Sequence, residues 1–398
     1  MNNTVSKTLV ALLAAVFAMT PFAIDSYLPA IPTIADELNV GTGMVSITVS
    51  IYVFGLAIGQ LIGGPLSDRF GRMKIMVMGL VIFAGCSLML ANSSSIESFW
   101  LWRILQSLGG GIAVVGVPAT IRDNTEGKES AKLFALIALI SMIAPSIAPT
   151  VGTTIMKLSS WHWIFIVSAV FALLVALAAT KVLPKPKSSA QLKHAVSYRQ
   201  VFRTKQGQGY LISQSFSFSV LMTFIANGAF IYMIHFGVSP EEFSALFLVN
   251  VLGVALINRL NSFLLNTHAP EVLLVRFISM QVVGTVVLLL SQLVAPDNLW
   301  FALVGFIITI SANGGIMANS NASFLKHFRK GAGVASAALG ATQFFTAASI
   351  SALAAVLSAH SLWPVVLIMF VSASVSLRGA LKANSVNQIY QSPIEVKI

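Results

Sequence analysis

Charge is what this sequence has least of. Its 398 residues include only 13 Asp and Glu and 24 Lys and Arg, so charged side chains make up 9% of the chain and apolar types 56%, at a mean hydropathy of +0.85. A soluble domain is ordinarily about one quarter charged, so this composition excludes the ordinary soluble classes. A single cysteine, Cys86, lies in an apolar run; it excludes an intrachain disulfide and carries no information about redox compartment. No G-x-x-x-x-G-K-[ST] string is present, which argues against ATP hydrolysis by this chain. Cys/His metal spacing is missing too, so neither a metal nor a cofactor is expected, and no enzyme is read here. Ten-residue segments of alternating hydropathy, the mark of a membrane barrel, are also missing.

What is present is a series of long apolar runs, each near the ~20 residues a helix needs to cross hydrocarbon. They predict an all-α membrane protein with twelve spans, over residues 8–29, 43–63, 75–92, 98–120, 131–155, 162–182, 210–234, 243–262, 272–293, 298–320, 333–357 and 361–381. Asn250, Arg259 and Arg276 interrupt or flank the eighth to tenth. The first run, opened by Lys7, has the outline of a signal peptide, but it leads straight into Asp25 and further spans, so cleavage is not expected.

The net charge of +11 is distributed as topology. Alternate loops carry Arg69, Arg72 and Lys74, then Arg122, Lys128 and Lys132, then a run from Lys181 to Lys205, then Arg259 and Arg276, then Lys326, Arg329 and Lys330. The opposite loops hold Lys157 and the acids Asp36, Glu37, Glu241, Glu242 and Asp297. The positive-inside rule then predicts both termini in the cytoplasm, which needs an even number of spans. No nucleic-acid partner is needed to explain the basic balance. The segment 183–208, with Pro184, Pro186 and many basic residues, separates six spans from six. It predicts an N-terminal bundle over 1–182, a cytoplasmic linker over 183–208, a C-terminal bundle over 209–383 and a tail over 384–398. Paired halves with a substrate site between them are a common transporter plan, and two fused halves need no partner chain, so a functional monomer is expected.

Asp25 sits alone in the apolar run from Leu9 to Pro29. A carboxylate at membrane depth is expensive, and the neutral acid is the cheaper form there. Such a group can take up a proton on one side of a membrane and release it on the other. Asp25 lies close to the outer end of its expected span, so the alternative is an interfacial cap. Arg103, in Trp102-Arg103-Ile104-Leu105-Gln106-Ser107-Leu108-Gly109-Gly110, is an arginine within a span, which must face a cavity or a partner. Its alternative is snorkelling to a nearby interface. Gly109-Gly110-Gly111 follows no strand pattern and is read as close helix packing. Tyr27, Tyr52, Asn227, Asn250, Asn313 and Gln343 are polar residues within spans. They line a substrate cavity or make hydrogen bonds between helices.

The string Gly64-Pro65-Leu66-Ser67-Asp68-Arg69-Phe70-Gly71-Arg72-Met73-Lys74 is read as a tight turn between two helices. It closely resembles the G-x-L-x-D-R-x-G-R loop of the major facilitator superfamily, with Met73 where a basic residue is usual. Arg103 and Gln106 resemble the family's R-x-x-Q-G motif, with Ser107 in place of Gly. Ala144, Ala148 and Gly152 recur every four residues beside Pro145 and Pro149, a smooth face for helix contact. This resembles a variant of the exporters' span-five antiporter motif. Asp25-Ser26-Tyr27-Leu28-Pro29-Ala30-Ile31-Pro32, Arg122-Asp123 and Gly331-Ala332-Gly333 resemble the Bcr/CflA drug-exporter branch.

The resemblance runs the length of the chain and implies that superfamily's fold of two six-helix bundles. It implies a proton-coupled exporter of lipophilic or amphenicol-like drugs in the bacterial inner membrane, working by alternating access among lipids. Asp25 and Arg103 are implied in proton coupling, and Gly64, Asp68, Arg69, Gly71, Arg72 and Asp123 in a cytoplasmic gate. Asp25 joins the expected cavity residues. Proton-coupled or passive uptake of a small nutrient is the alternative, because physics alone does not set the direction of transport.

Overall fold

The computed structural model describes residues 7–124, 133, 144–145, 147–183, 198–328, 332–358 and 361–391. Every secondary-structure element among them is helical. Hydrocarbon leaves a backbone no other partner for its amides than its own carbonyls, and helices meet that demand within one segment. Eleven helical stretches among the described residues are long and apolar enough to cross a membrane. The fifth of the twelve expected spans, 131–155, falls mostly outside the described residues. Its described end runs on as a helix over 147–158, called α7 below.

The first span is broken. α1 (Lys7–Asp25) is followed by a turn, a 3-10 turn (Leu28–Ala30) and α2 (Ile31–Glu37). The cause is local: the ring of a helical proline clashes with the carbonyl four residues earlier, and for Pro29 that residue is Asp25. Pro29 and Pro32 instead sit at the starts of the two short helices, where a missing N–H costs nothing. The whole stretch from Lys7 to Glu37 is apolar enough to span. Asp25 therefore lies within this stretch and not near its end.

α3 (Thr42–Phe70) and α4 (Arg72–Ala91) correct a second expectation. Gly64 to Phe70 form the last turns of α3 and make no loop; the turn is Gly71 alone, at φ +97°, a conformation that suits only glycine well. α5 (Ile96–Val114) and α6 (Gly116–Asn124) make the fourth span, and α8 (His162–Val182) the sixth.

The chain then continues through α9 (Tyr198–Arg203) and α10 (Lys205–Ala229), which ends in a π-helical turn, Phe230–His235. α11 (Pro240–Leu264) and α12 (Pro270–Val294) run uninterrupted past Asn250 and Arg276. α13 (Leu299–Ser311) and α14 (Asn313–Leu325) meet at Ala312 and make one span, followed by α15 (Ala332–Leu357) and α16 (Trp363–Gln391).

The chain clusters into two compact units. Unit one is Met1–Gln191 with Ile225–Leu248; unit two is Leu192–Phe224 with Val249–Ile398. In unit one, α5 packs against α3 and α4, with close backbone approaches at its glycines. A methyl group on Gly59 would strike the Leu108 carbonyl and Gly111, and one on Gly111 would strike the Leu56 carbonyl. Gly109 meets the backbone of Gly79 on α4, while Gly110 looks toward Tyr52 and Phe83. Consecutive helical residues point about 100° apart. Three glycines in a row thus serve three directions. The packing role expected of this run is what the structure shows.

In unit two, α12 packs against α13, α14 and α16. A core around Tyr210, Phe277, Ile278, Phe324 and Leu339 fills one end.

Candidate functional site

The break after Asp25 leaves the Ala23 carbonyl in a last helical turn, where acceptors lack helix partners. Arg103 on α5 supplies one: its Nη2 donates to the Ala23 carbonyl at 2.8 Å. Its Nη1 donates to Gln106 Oε1 at 2.6 Å, and the Gln106 amide donates onward to Ser87 Oγ on α4 at 2.7 Å. Ser87 completes the relay by donating to the Phe83 carbonyl. The guanidinium carbon lies 4.3 Å from the Tyr27 ring centroid and 4.4 Å from that of Tyr52, with Phe165 of α8 at 5.8 Å. Arg103 is 0% exposed. The interfacial alternative for Arg103 is thereby removed.

Asp25 is 2% exposed, and its Oδ1 has no hydrogen-bond partner among the described residues. No ion pair joins it to Arg103, which bonds instead to Gln106 and to the carbonyl of Ala23, two residues before Asp25. The Tyr27 hydroxyl is hydrogen-bonded to Thr48 Oγ1 at 2.8 Å, and Thr48 donates to the Val45 carbonyl, so Tyr27 is the donor of the pair. Unit one thus buries a carboxyl group and a guanidinium whose acceptor, the Ala23 carbonyl, lies two residues from that acid, with no ion pair between the two. Chemically, such a pair can hold a proton, release it, and exchange partners as it does so.

At the far end of unit one, α2 is tied to the start of α8. Trp161 Nε1 donates to Glu37 Oε2 at 2.7 Å, and His162 Nε2 lies 3.3 Å from Glu37 Oε1. Trp161, Phe99, Phe165 and Tyr27 make successive ring contacts leading inward from this point. Lys157, the lone basic residue of its loops, pairs with Glu241 at 2.9 Å, and Thr153 shares a hydrogen bond with Ser244. Gly152 of α7 meets the backbone of Ser26, which places the smooth face of that helix on the break beside Asp25, with Ala148 and Pro149 also buried. Ala144 and Pro145 are half-buried.

In the expected gate, Asp68 pairs with Arg72 one turn on, and Arg72 Nη1 also donates to Ser67 Oγ at 3.2 Å. Asp68 therefore lies in the last turn of α3 and not in a loop. Arg69 lies over the Phe70 ring at 5.2 Å. Gly64 has open space beside it. The side chain of Asp123 lies outside the described residues.

Of the expected cavity residues, Asp25, Tyr27 and Tyr52 are gathered around Arg103. Asn227 is buried in unit one, and Asn250, Asn313 and Gln343 are buried in unit two. Gln343 accepts from the Gln214 amide, and Asn313 donates to the Ile310 carbonyl. Sequence reasoning missed Thr48, Ser87 and Phe165. Gln106 carried a signal, since it lies three residues from Arg103 and so shares its helix face; the other three carried none.

Residues 11–355 match the model of the Major Facilitator Superfamily. A bicyclomycin resistance protein homolog of Haemophilus influenzae is 29% identical over 384 residues, covering 95% of this chain and 96% of that protein. The chloramphenicol resistance protein CraA of Acinetobacter baumannii is 31% identical over 250 residues, 59% of this chain and 60% of that one. In three dimensions the chain is similar to the POT family transporter PepTSo, with a TM-score of 0.75, 12% identity, and coverage of 96% of this chain and 98% of that one. At that identity the likeness speaks for the fold alone.

Proposed function

Because this chain belongs to the Major Facilitator Superfamily, we propose that it exports small amphipathic drugs in exchange for protons, by alternating access in a bacterial inner membrane. The observation that carries the reading is the unpaired Asp25 beside Arg103, buried where the first span breaks. A carboxyl group at that depth is a functional group by default, because nothing structural offsets its cost. Similarity to proteins named for bicyclomycin and chloramphenicol resistance supports drugs as the cargo, and two such different molecules favour an adaptable pocket over a single fitted one. In this reading both termini face the cytoplasm, and residues 1–182 and 209–383 form the two bundles about the linker 183–208. Asp25, Tyr27, Tyr52, Asn227, Asn250, Asn313 and Gln343 contribute to the cavity, and the protein works as a monomer.

The test is purified protein in liposomes with a pH-sensitive dye inside and a preset pH gradient. Chloramphenicol added to the wild-type protein should trigger proton movement, and Asp25→Asn, which mimics the permanently neutral acid, should abolish it while expression is unchanged. Proton-independent exchange of chloramphenicol by the wild type, or coupling intact in Asp25→Asn, would overturn the reading.

A further inference from the structure

Arg103 faces a choice of partners. It is a permanent cation, fully buried, bonded to a carbonyl two residues before Asp25 yet in no ion pair with that acid. Its two terminal nitrogens are spent on the Ala23 carbonyl and on Gln106, both fixed in place. Ala23 is an acceptor left over from the helix break, and Gln106 is held by Ser87. What remain are Nε, buried without a partner among the described residues, and the flat face of the guanidinium, whose carbon lies over the rings of Tyr27 and Tyr52 at nearly equal distances. Both rings are themselves fully buried. Tyr27 is pinned by Thr48 and by contact with Phe165. Tyr52 reaches beneath Gly110, where an added methyl would lie 3.3 Å from its hydroxyl.

We propose that Tyr27 and Tyr52 are positioning residues: a two-ring clamp that holds the Arg103 guanidinium out of an ion pair with Asp25. The proposal rests on the reading of Asp25 as the proton carrier. An acid paired with arginine gives up its proton far more readily than an unpaired one. By keeping the pair apart, the clamp sets the pH at which Asp25 loads. The titratable and charged groups of the cluster beside Asp25 are Tyr27 from its own segment, Tyr52 from α3 and Arg103 from α5, the last bonded to the carbonyl of Ala23, two residues before Asp25. α4 and α8 turn Phe83, Ser87 and Phe165 toward the cluster, and α7 presents Gly152.

The experiment is the pH profile of chloramphenicol-driven proton movement in liposomes, read as its midpoint whatever the maximal rate. Tyr27→Phe and Tyr52→Phe keep the ring faces and should keep the wild-type midpoint. Tyr27→Leu and Tyr52→Leu remove a face and should shift it to lower pH by about one unit or more, a tenfold loss in apparent proton affinity. Should a leucine variant fail to fold, stepwise fluorination of phenylalanine at position 27 or 52 preserves shape while draining the ring's negative face. Each added fluorine should move the midpoint further to acid. Leucine or fluorinated variants with the wild-type midpoint would overturn the clamp, provided that Asp25→Asn has lost coupling in the same assay. Coupling intact in Asp25→Asn would instead sink the proton-carrier reading itself.

Discussion

A buried guanidinium without a carboxylate must find negative potential elsewhere, and Arg103 finds it in two ring faces, a carbonyl and an amide oxygen. A desolvated cation–π contact contributes about 2 kcal/mol, and a hydrogen bond to a charged group roughly 1.5–3 kcal/mol. Arg103 is therefore held by several comparable contacts. Lysine keeps the charge but has no flat face to lay over the rings and no fork to reach Ala23 and Gln106 together. Arg103→Lys should retain part of the transport rate and Arg103→Ala almost none; near-normal transport in both, measured on equal amounts of protein, would deny Arg103 a role in the cycle. Asp25 and Arg103 were legible in the sequence because a lone charge in an apolar run stands out. Their surroundings were not. Thr48 and Phe165 look like any other span residue, and only folding brings them to Tyr27 and Arg103.

Glycine run and gate string contrast at the scale of helices. The packing of α5 against α3 and α4 was legible, because small residues spaced along a helix have few other uses, and Gly59, Gly109 and Gly111 do meet backbone. Gly111→Val should cost about 1–3 kcal/mol by overpacking, seen as a lower melting temperature of the purified protein in detergent. Gly85→Val on α4, where an added Cβ meets open space, serves as the control and should change little. The turn after the second span was misread because glycine and proline usually mark loops, yet Gly64 and Pro65 sit inside α3 and Gly71 alone makes the turn. Pro65 is tolerated because a membrane helix can re-satisfy the backbone group it frees. The Asp68–Arg72 pair is largely exposed on the acid's side, 59%, so its contribution is small. If these residues bias a two-state balance, Asp68→Asn should slow turnover while chloramphenicol affinity falls much less. Lost affinity with normal turnover at saturation would move Asp68 to the substrate site.

For the molecule as a whole, helix number and hydropathy were open to reading because each span must satisfy the same thickness of hydrocarbon. The grouping of Ile225–Leu248 with unit one was not, since it depends on contacts far apart in sequence, such as Lys157 with Glu241 and Thr153 with Ser244. Unit two carries its own titratable group beyond the spans. His327 stacks on Tyr210, and burial, aided by the neighbouring Lys326, holds its pKa below the usual value while Glu271 opposes. The folded state then binds the proton less readily than the unfolded chain. Stability should be level above about pH 6.5 and fall as the pH drops below it; His327→Phe should flatten that part of the melting-temperature profile.

The order of the clamp along the chain bears on how the protein is made. Tyr27 and Tyr52 leave the ribosome before Arg103, and Phe165 after it. At roughly 5–20 residues per second, the two rings have seconds in the bilayer before the arginine arrives, so the cation enters lipid with its partners already waiting. Asp25 has no such help, for it emerges ahead of Tyr52, Arg103 and Phe165.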